Sequence, residues 1–150
     1  MKDNKGFTLI ELLVVIFIIG VLAGVILPNL MSARERARDS KRKQDLKEIK
    51  TALGLYYNDN QGYIEAGDFS FDTGWSDYMS QVPQDPLGSD NSYGYCVSSD
   101  NGAFRLWADL ENAGDADING SQIRCPALTD ETCTSSCDAD SLNCYYVCAN

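Results

Sequence analysis

Three groups of residues in this chain have the types and spacing to do chemistry. One carboxylate, Glu11, stands inside an otherwise apolar N-terminal run. Six cysteines lie between Cys96 and Cys148. Asp115, Asp117, Asn119 and Gly120 read D-x-D-x-N-G, a spacing in which alternate oxygens face one ion and Gly permits the tight turn. That is the opening half of a calcium loop. The second half departs, because Pro126 stands where such a loop carries its bidentate Glu. A calcium site here would borrow Asp109, Glu111 and backbone carbonyls. The competing reading is an acidic surface turn, where Asp, Asn and Gly serve their own backbone. Both stay open. Calcium is the one cofactor suggested, and none is required.

The even cysteine count, confined to a small segment with a thin apolar core, points to disulfides and an oxidising compartment. A four-Cys zinc site is the alternative, but no C-x-x-C pair is present and the chain has no His. Cys96, Cys125, Cys133, Cys137, Cys144 and Cys148 are therefore expected in three bridges, with Cys96 tied to the tail and the connectivity open. Without His there is no imidazole base, and phosphate-cradling Gly patterns are absent. No catalytic residues are assigned and no enzyme is expected.

The element that must position Glu11 is long and apolar. Every residue from Leu12 to Leu27 is apolar or Gly. Phe7 to Leu27 spans about 31 Å as helix, matching a hydrocarbon core of about 30 Å. A secretory signal core is shorter, about 7–15 residues. Three readings compete: a cleaved signal with Lys2, Lys5 and a small-residue site near Ala23; a plain anchor; and a leader, MKDNKG, ahead of FTLIE. Glu11 discriminates among them. A charge at mid-bilayer costs about 2.5–3.5 kcal/mol, less near the edge. The helix dipole makes a carboxylate tolerable in the first turn without explaining why it is there. Gly20 and Gly24 form G-x-x-x-G, a close-packing face in lipid, or a chance pair in a segment type where Gly is common. Pro28 deprives the Gly24 carbonyl of its partner and predicts a kink, or marks the exit from the membrane.

Lys5-Gly6 followed by Phe7-Thr8-Leu9-Ile10-Glu11-Leu12-Leu13 resembles the processing site of type IV pilins and type II secretion pseudopilins. The resemblance implies cleavage between Gly6 and Phe7 by a prepilin peptidase, and N-methylation of Phe7 by the same enzyme. It also implies pairing of Glu11 with a neighbouring subunit's N-terminus, and a helix-breaking residue near Pro28. Val82-Pro83-Gln84-Asp85-Pro86-Leu87-Gly88, followed by Tyr93-Gly94-Tyr95, resembles the major pseudopilin, which has an acidic-proline-glycine turn before its first strand. Asp115-Ala116-Asp117-Ile118 resembles its calcium-binding stretch. The Cys-rich C-terminal extension departs from that pattern, so a specialised type IV pilin stands equally open.

A new amine at Phe7 would lie about 6 Å along the axis from Glu11. Two opposite charges in low dielectric resist being unpaired, and a staggered neighbour would satisfy both.

Between Arg34 and Lys50 stand eight basic and four acidic residues, a net charge of +4. From Thr51 onward there are sixteen acids against Arg105 and Arg124, a net −14. So acidic a head repels nucleic acid. The basic stretch either touches anionic lipid headgroups or is a solvated helix face. Leu46, Ile49, Leu53 and Tyr56 follow at helical spacing and give this half an apolar stripe. Asn58 to Gly62 ends the helix. Residues 64–90 read mostly as loop anchored by aromatics, and a short helix fits near Trp75–Gln81. Tyr93–Val97 and Ala103–Leu110 read as strands joined by a hairpin loop over Ser98–Gly102. The second alternates Phe104, Leu106, Ala108 and Leu110 against Arg105, Trp107 and Asp109.

The expected fold is α+β and pilin-like: one long N-terminal helix packed on a small antiparallel sheet, with a Cys-rich extension. Residues 1–6 read as leader, 7–30 as membrane and filament-core helix, 31–57 as amphipathic continuation, and 58–150 as extracytoplasmic head. The expected role is a subunit of a filament made of copies or related pilins. It would be single-pass in the cytoplasmic membrane before assembly, and a surface or periplasmic filament after. Prepilin peptidase, a membrane assembly platform and an ATPase are partners implied by the resemblance. A membrane-tethered, calcium-dependent binding module that never polymerises is the alternative.

Overall fold

The computed structural model describes residues 7–75, 77–88, 93–125 and 143–149. The chain divides into two units, residues 1–35 and 36–150. Helix α1 (Leu9–Asn60) contributes to both.

In the first unit the described residues form the N-terminal part of α1. The large apolar side chains described in this unit are exposed, from Phe7 at 88% to Met31 at 69%. Helical backbone runs through Pro28, whose side chain lies outside the described residues. By length and composition α1 is able to cross a membrane.

In the second unit, residues 36–60 of α1 lie against a three-stranded antiparallel sheet, order β1-β2-β3. Strand β1 (Gly94–Val97) pairs with β2 (Phe104–Asp109), placing Gly94 opposite Trp107 and Val97 opposite Phe104. Strand β3 (Cys144–Cys148) pairs with the other edge of β2, Arg105 opposite Cys148 and Asp109 opposite Cys144. A Cβ on Gly94 would sit 1.9 Å from the Trp107 ring, so the indole packs on bare backbone there.

The expected alternation of β2 is observed. Phe104, Leu106, Ala108 and Leu110 are buried against Leu46, Ile49 and Leu53 of α1, with Tyr145 and Val147 of β3 completing the core. Fully burying one such side chain stabilises by about 1.5–3 kcal/mol. The opposite face is also covered. Trp107 and Tyr146 cluster with Cys96, Cys125 and Cys144 in a second, smaller core.

Three local readings are corrected. The segment near Trp75–Gln81 is not helical; Trp75 and Met79 pair their backbones across a tight turn (3.0 and 2.7 Å). The Trp75 ring packs on Tyr56, Phe69 and Tyr78, which fixes that turn over the end of α1. Asp117 to Gly120, read as part of a calcium-type loop or acidic turn, instead open helix α2 (Asp117–Arg124), with Ile118 and Ser121 buried. Strand β3 was not expected. Helix α1 ends where the polar run implies, and Gln61 takes the left-handed conformation (φ 59°).

Candidate functional site

Glu11 opens α1 through a reciprocal cap. Its carboxylate Oε2 accepts the Thr8 backbone N–H at 2.8 Å and the Thr8 hydroxyl at 2.9 Å, while the Glu11 N–H donates to Thr8 Oγ1 at 3.3 Å. This is the capping box, Thr then Glu three residues on, which satisfies orphan donors at a helix start. The sequence sets the helix dipole beside pairing with a neighbouring subunit's N-terminus as the reasons for Glu11; the Thr8-to-Glu11 spacing is a further local signal that the structure reveals. Gly20 and Gly24 face open space, with no atom within 4 Å of an added Cβ. Gly6, the expected cleavage position, lies outside the described residues, and Phe7 is exposed.

The basic stretch of α1 is not uniformly solvated: Arg34, Arg36, Lys41 and Lys47 are exposed, but part of it turns inward. Asp39, Arg42 and Asp45 are buried. They lie on the same side of the helix as Leu46, Ile49 and Leu53, so the sheet-facing stripe is charged at its upstream end. Arg42 Nε meets Asp85 Oδ2 at 2.6 Å and its Nη2 meets Oδ1 at 3.1 Å. Its Nη1 donates to Asp39 Oδ1 and to Glu111 Oε1, both at 2.7 Å. Such a forked donor suits several carboxylates at once. Burial alone would lower the Arg42 pKa; bonds to Asp85, Glu111 and Asp39 outweigh it and raise it. Asp39 also accepts the Glu111 and Asn112 backbone N–H groups, both at 2.9 Å, and so ties the end of β2 to the helix.

Glu111 receives Arg38 Nε at 2.6 Å and an Arg38 Nη2 bond as well. The Arg38 contacts, opposed by burial and helped by Arg42, bring its carboxyl down to about 2. Glu111 is thus committed to arginines. Asp45 is held by Lys41 at 2.6 Å and by the Tyr93 hydroxyl, which donates at 2.8 Å. Burial, then that bond, pushes the Tyr93 phenol well above its usual range.

The acidic stretch after β2 also meets α1. Lys43 Nζ lies 2.9 and 2.8 Å from the two oxygens of Asp115 and 2.9 Å from Asp117 Oδ2. Asn119 lies on α2, exposed. Asp109 is exposed at the end of β2.

Cys125 and Cys148 form a disulfide. Cys96 and Cys144 are also disulfide-bonded. Cys133 and Cys137 lie outside the described residues.

Residues 1–27 match the prokaryotic N-terminal methylation motif. The chain is 32% identical to type II secretion system core protein G of Vibrio cholerae, covering 83% of this chain and 96% of that protein. It is 36% identical to core protein G of Pseudomonas aeruginosa, over 78% of this chain and 94% of the relative. The chain belongs to the type IV pilin and type II secretion pseudopilin family. It is also 31% identical to the type IV major pilin protein PilA of Myxococcus xanthus, over 81% of this chain and 48% of PilA. No solved structure matches.

For this pilin-family chain, the acidic-proline-glycine turn has a physical role. Asp85 is buried, its Oδ1 accepts the Leu87 N–H at 2.8 Å, and Gly88 closes the turn at φ 85° with its N–H on the Asp85 carbonyl at 2.9 Å. The turn presents a carboxylate to Arg42, and so fastens the loop before β1 to the helix.

Proposed function

We propose that this chain is cleaved between Gly6 and Phe7 by a prepilin peptidase, N-methylated on Phe7, and polymerised into a pilus or pseudopilus. The observation that carries this reading is the exposure of every large apolar side chain described between Phe7 and Met31, opened by one carboxylate. Such a surface is unstable in water; lipid covers it before assembly and neighbouring helices afterwards. Glu11, already at the helix start, takes the amine of an adjacent subunit in place of its Thr8 cap. Gly20 and Gly24, open in the single subunit, accept a neighbour's backbone closely. The partners are copies or related pilins, a membrane platform and an ATPase. The filament stands at the cell surface or in the periplasm, and the role is structural rather than catalytic.

Intact-mass and N-terminal analysis of purified protein tests the first step. The expected mature chain begins at methylated Phe7. A start near Gly24, or an uncut Met1, would overturn the reading in favour of a signal or plain anchor.

A further inference from the structure

Asp115, Asp117 and Asn119 carry a spacing suited to calcium, and the described structure tests whether they fit that ion. The two carboxylates converge, but Lys43 stands between them, 2.8–2.9 Å from three of their oxygens. Asp115 Oδ1 further accepts the Asp117 N–H at 2.9 Å. Asn119 is exposed on α2. Glu111, one of the acids that such a site would borrow, is held by Arg38 and Arg42. Calcium takes about six to eight oxygen ligands, and among the described residues no group of three acidic or cysteine side chains is placed to hold a metal. The donor set does not fit a resident divalent ion.

We propose that the Lys43 ammonium is the built-in cation of this loop, holding Asp115 and Asp117 against α1 so that the head orders without calcium. The position is built rather than incidental. The Lys43 and Asp115 side chains are only 16% and 18% exposed, so the pair is shielded as a surface ion pair is not. The Tyr145 ring lies 5.9 Å from Nζ and adds a π face to the same cation. Burial works against the charge of Lys43, but bonds to Asp115 and Asp117 hold its pKa above the ordinary lysine value. The ammonium crosslinks a helix residue to a loop 72 residues later. It neutralises one of the two carboxylates, and three directional N–H groups replace a coordination sphere.

The test is a thermal melt of the full-length protein in detergent, followed by fluorescence of Trp75 and Trp107. It is run in millimolar calcium and in excess chelator, for wild type, Lys43→Gln and Lys43→Arg. Wild type is expected to melt at one temperature in both buffers. In chelator Lys43→Gln should melt several degrees lower, on the scale of about 4–8 °C for a lost interaction in a small domain, while Lys43→Arg recovers most of the difference. A wild-type melt that rises with calcium concentration, as mass action requires for a bound ion, would overturn the proposal. That arm needs no variant to fold. A Lys43→Gln melt equal to wild type would overturn it as well, leaving an acidic turn that needs no cation.

Discussion

Residues 9–35 and residues 36–60 belong to one helix and solve opposite problems. In the first stretch apolar side chains point outward and the carboxylate near its start is capped by its own backbone turn. In the second, an arginine and two aspartates are buried, each held by partners from the same chain. The first stretch is complete only with something outside the subunit; the second is complete within it. Helix character therefore says little about role: the distribution of charge decides whether a segment is for assembly or for fold. Changes in residues 36–60 should move head stability, and changes in residues 7–35 should move assembly.

The largest expected effect on the head is Arg42→Ala. It strands Asp39 and Asp85 in the interior, where removing one partner of a buried ion group costs about 3–5 kcal/mol. Denaturant unfolding of the full chain in detergent, read by Trp107 fluorescence, should show that loss. A midpoint near wild type would mean that water solvates these carboxylates and that the network is surface-like.

Next is the covered outer face of the sheet. Reducing Cys125–Cys148, which closes a loop 23 residues apart, should cost about 2–4 kcal/mol. Reductant titrated until mass spectrometry shows only Cys125 and Cys148 alkylated should lower the melting temperature and expose Trp107. An unchanged melt after alkylation of both thiols would assign the outer core to apolar packing alone.

The smallest effect is a pH dependence. Glu111 is held near 2 in the folded chain against an ordinary 4.5, chiefly by Arg38. A depressed carboxylate contributes its stability above the unfolded pKa and loses it as pH falls through the folded one. Stability should therefore decline between about pH 5 and pH 2 by on the order of 1 kcal/mol from this group, allowing for solvent screening. Glu111→Gln should flatten that part of the profile. An equally steep profile in the variant would place the acid sensitivity elsewhere.

Much of this was legible in the residues. Leu46, Ile49 and Leu53 marked the buried face of the helix, the alternation in β2 marked its two faces, and the Gly6-Phe7-Glu11 spacing marked the family. The ion network was not legible, although Asp39 and Arg42 continue the three-and-four spacing of the apolar stripe. Residue type argued for the surface, because charged side chains are seldom buried unless paired. Their partners come from 43 and 69 residues away, and only the folded chain brings them together. Strand β3 was hidden for a different reason. In Cys144-Tyr145-Tyr146-Val147-Cys148 apolar residues face a core on each side, so the run lacks alternation and its cysteines drew the disulfide reading alone. Helix α2 was hidden because the D-x-D-x-N-G spacing drew the turn reading; Gly120 costs about 1 kcal/mol within a helix, and burial of Ile118 and Ser121 offsets it.

The division of labour is tested most directly by Glu11→Ala, measured two ways in the same cells and preparations. Filaments sheared from the surface or periplasm are counted by electron microscopy, and the melting of the detergent-solubilised subunit is followed by Trp107 fluorescence. The expected result is that filaments nearly vanish while the head melts as in wild type, because the carboxylate serves a neighbour rather than its own fold. Wild-type filament numbers in the variant would contradict it, leaving Glu11 as a helix cap and nothing more.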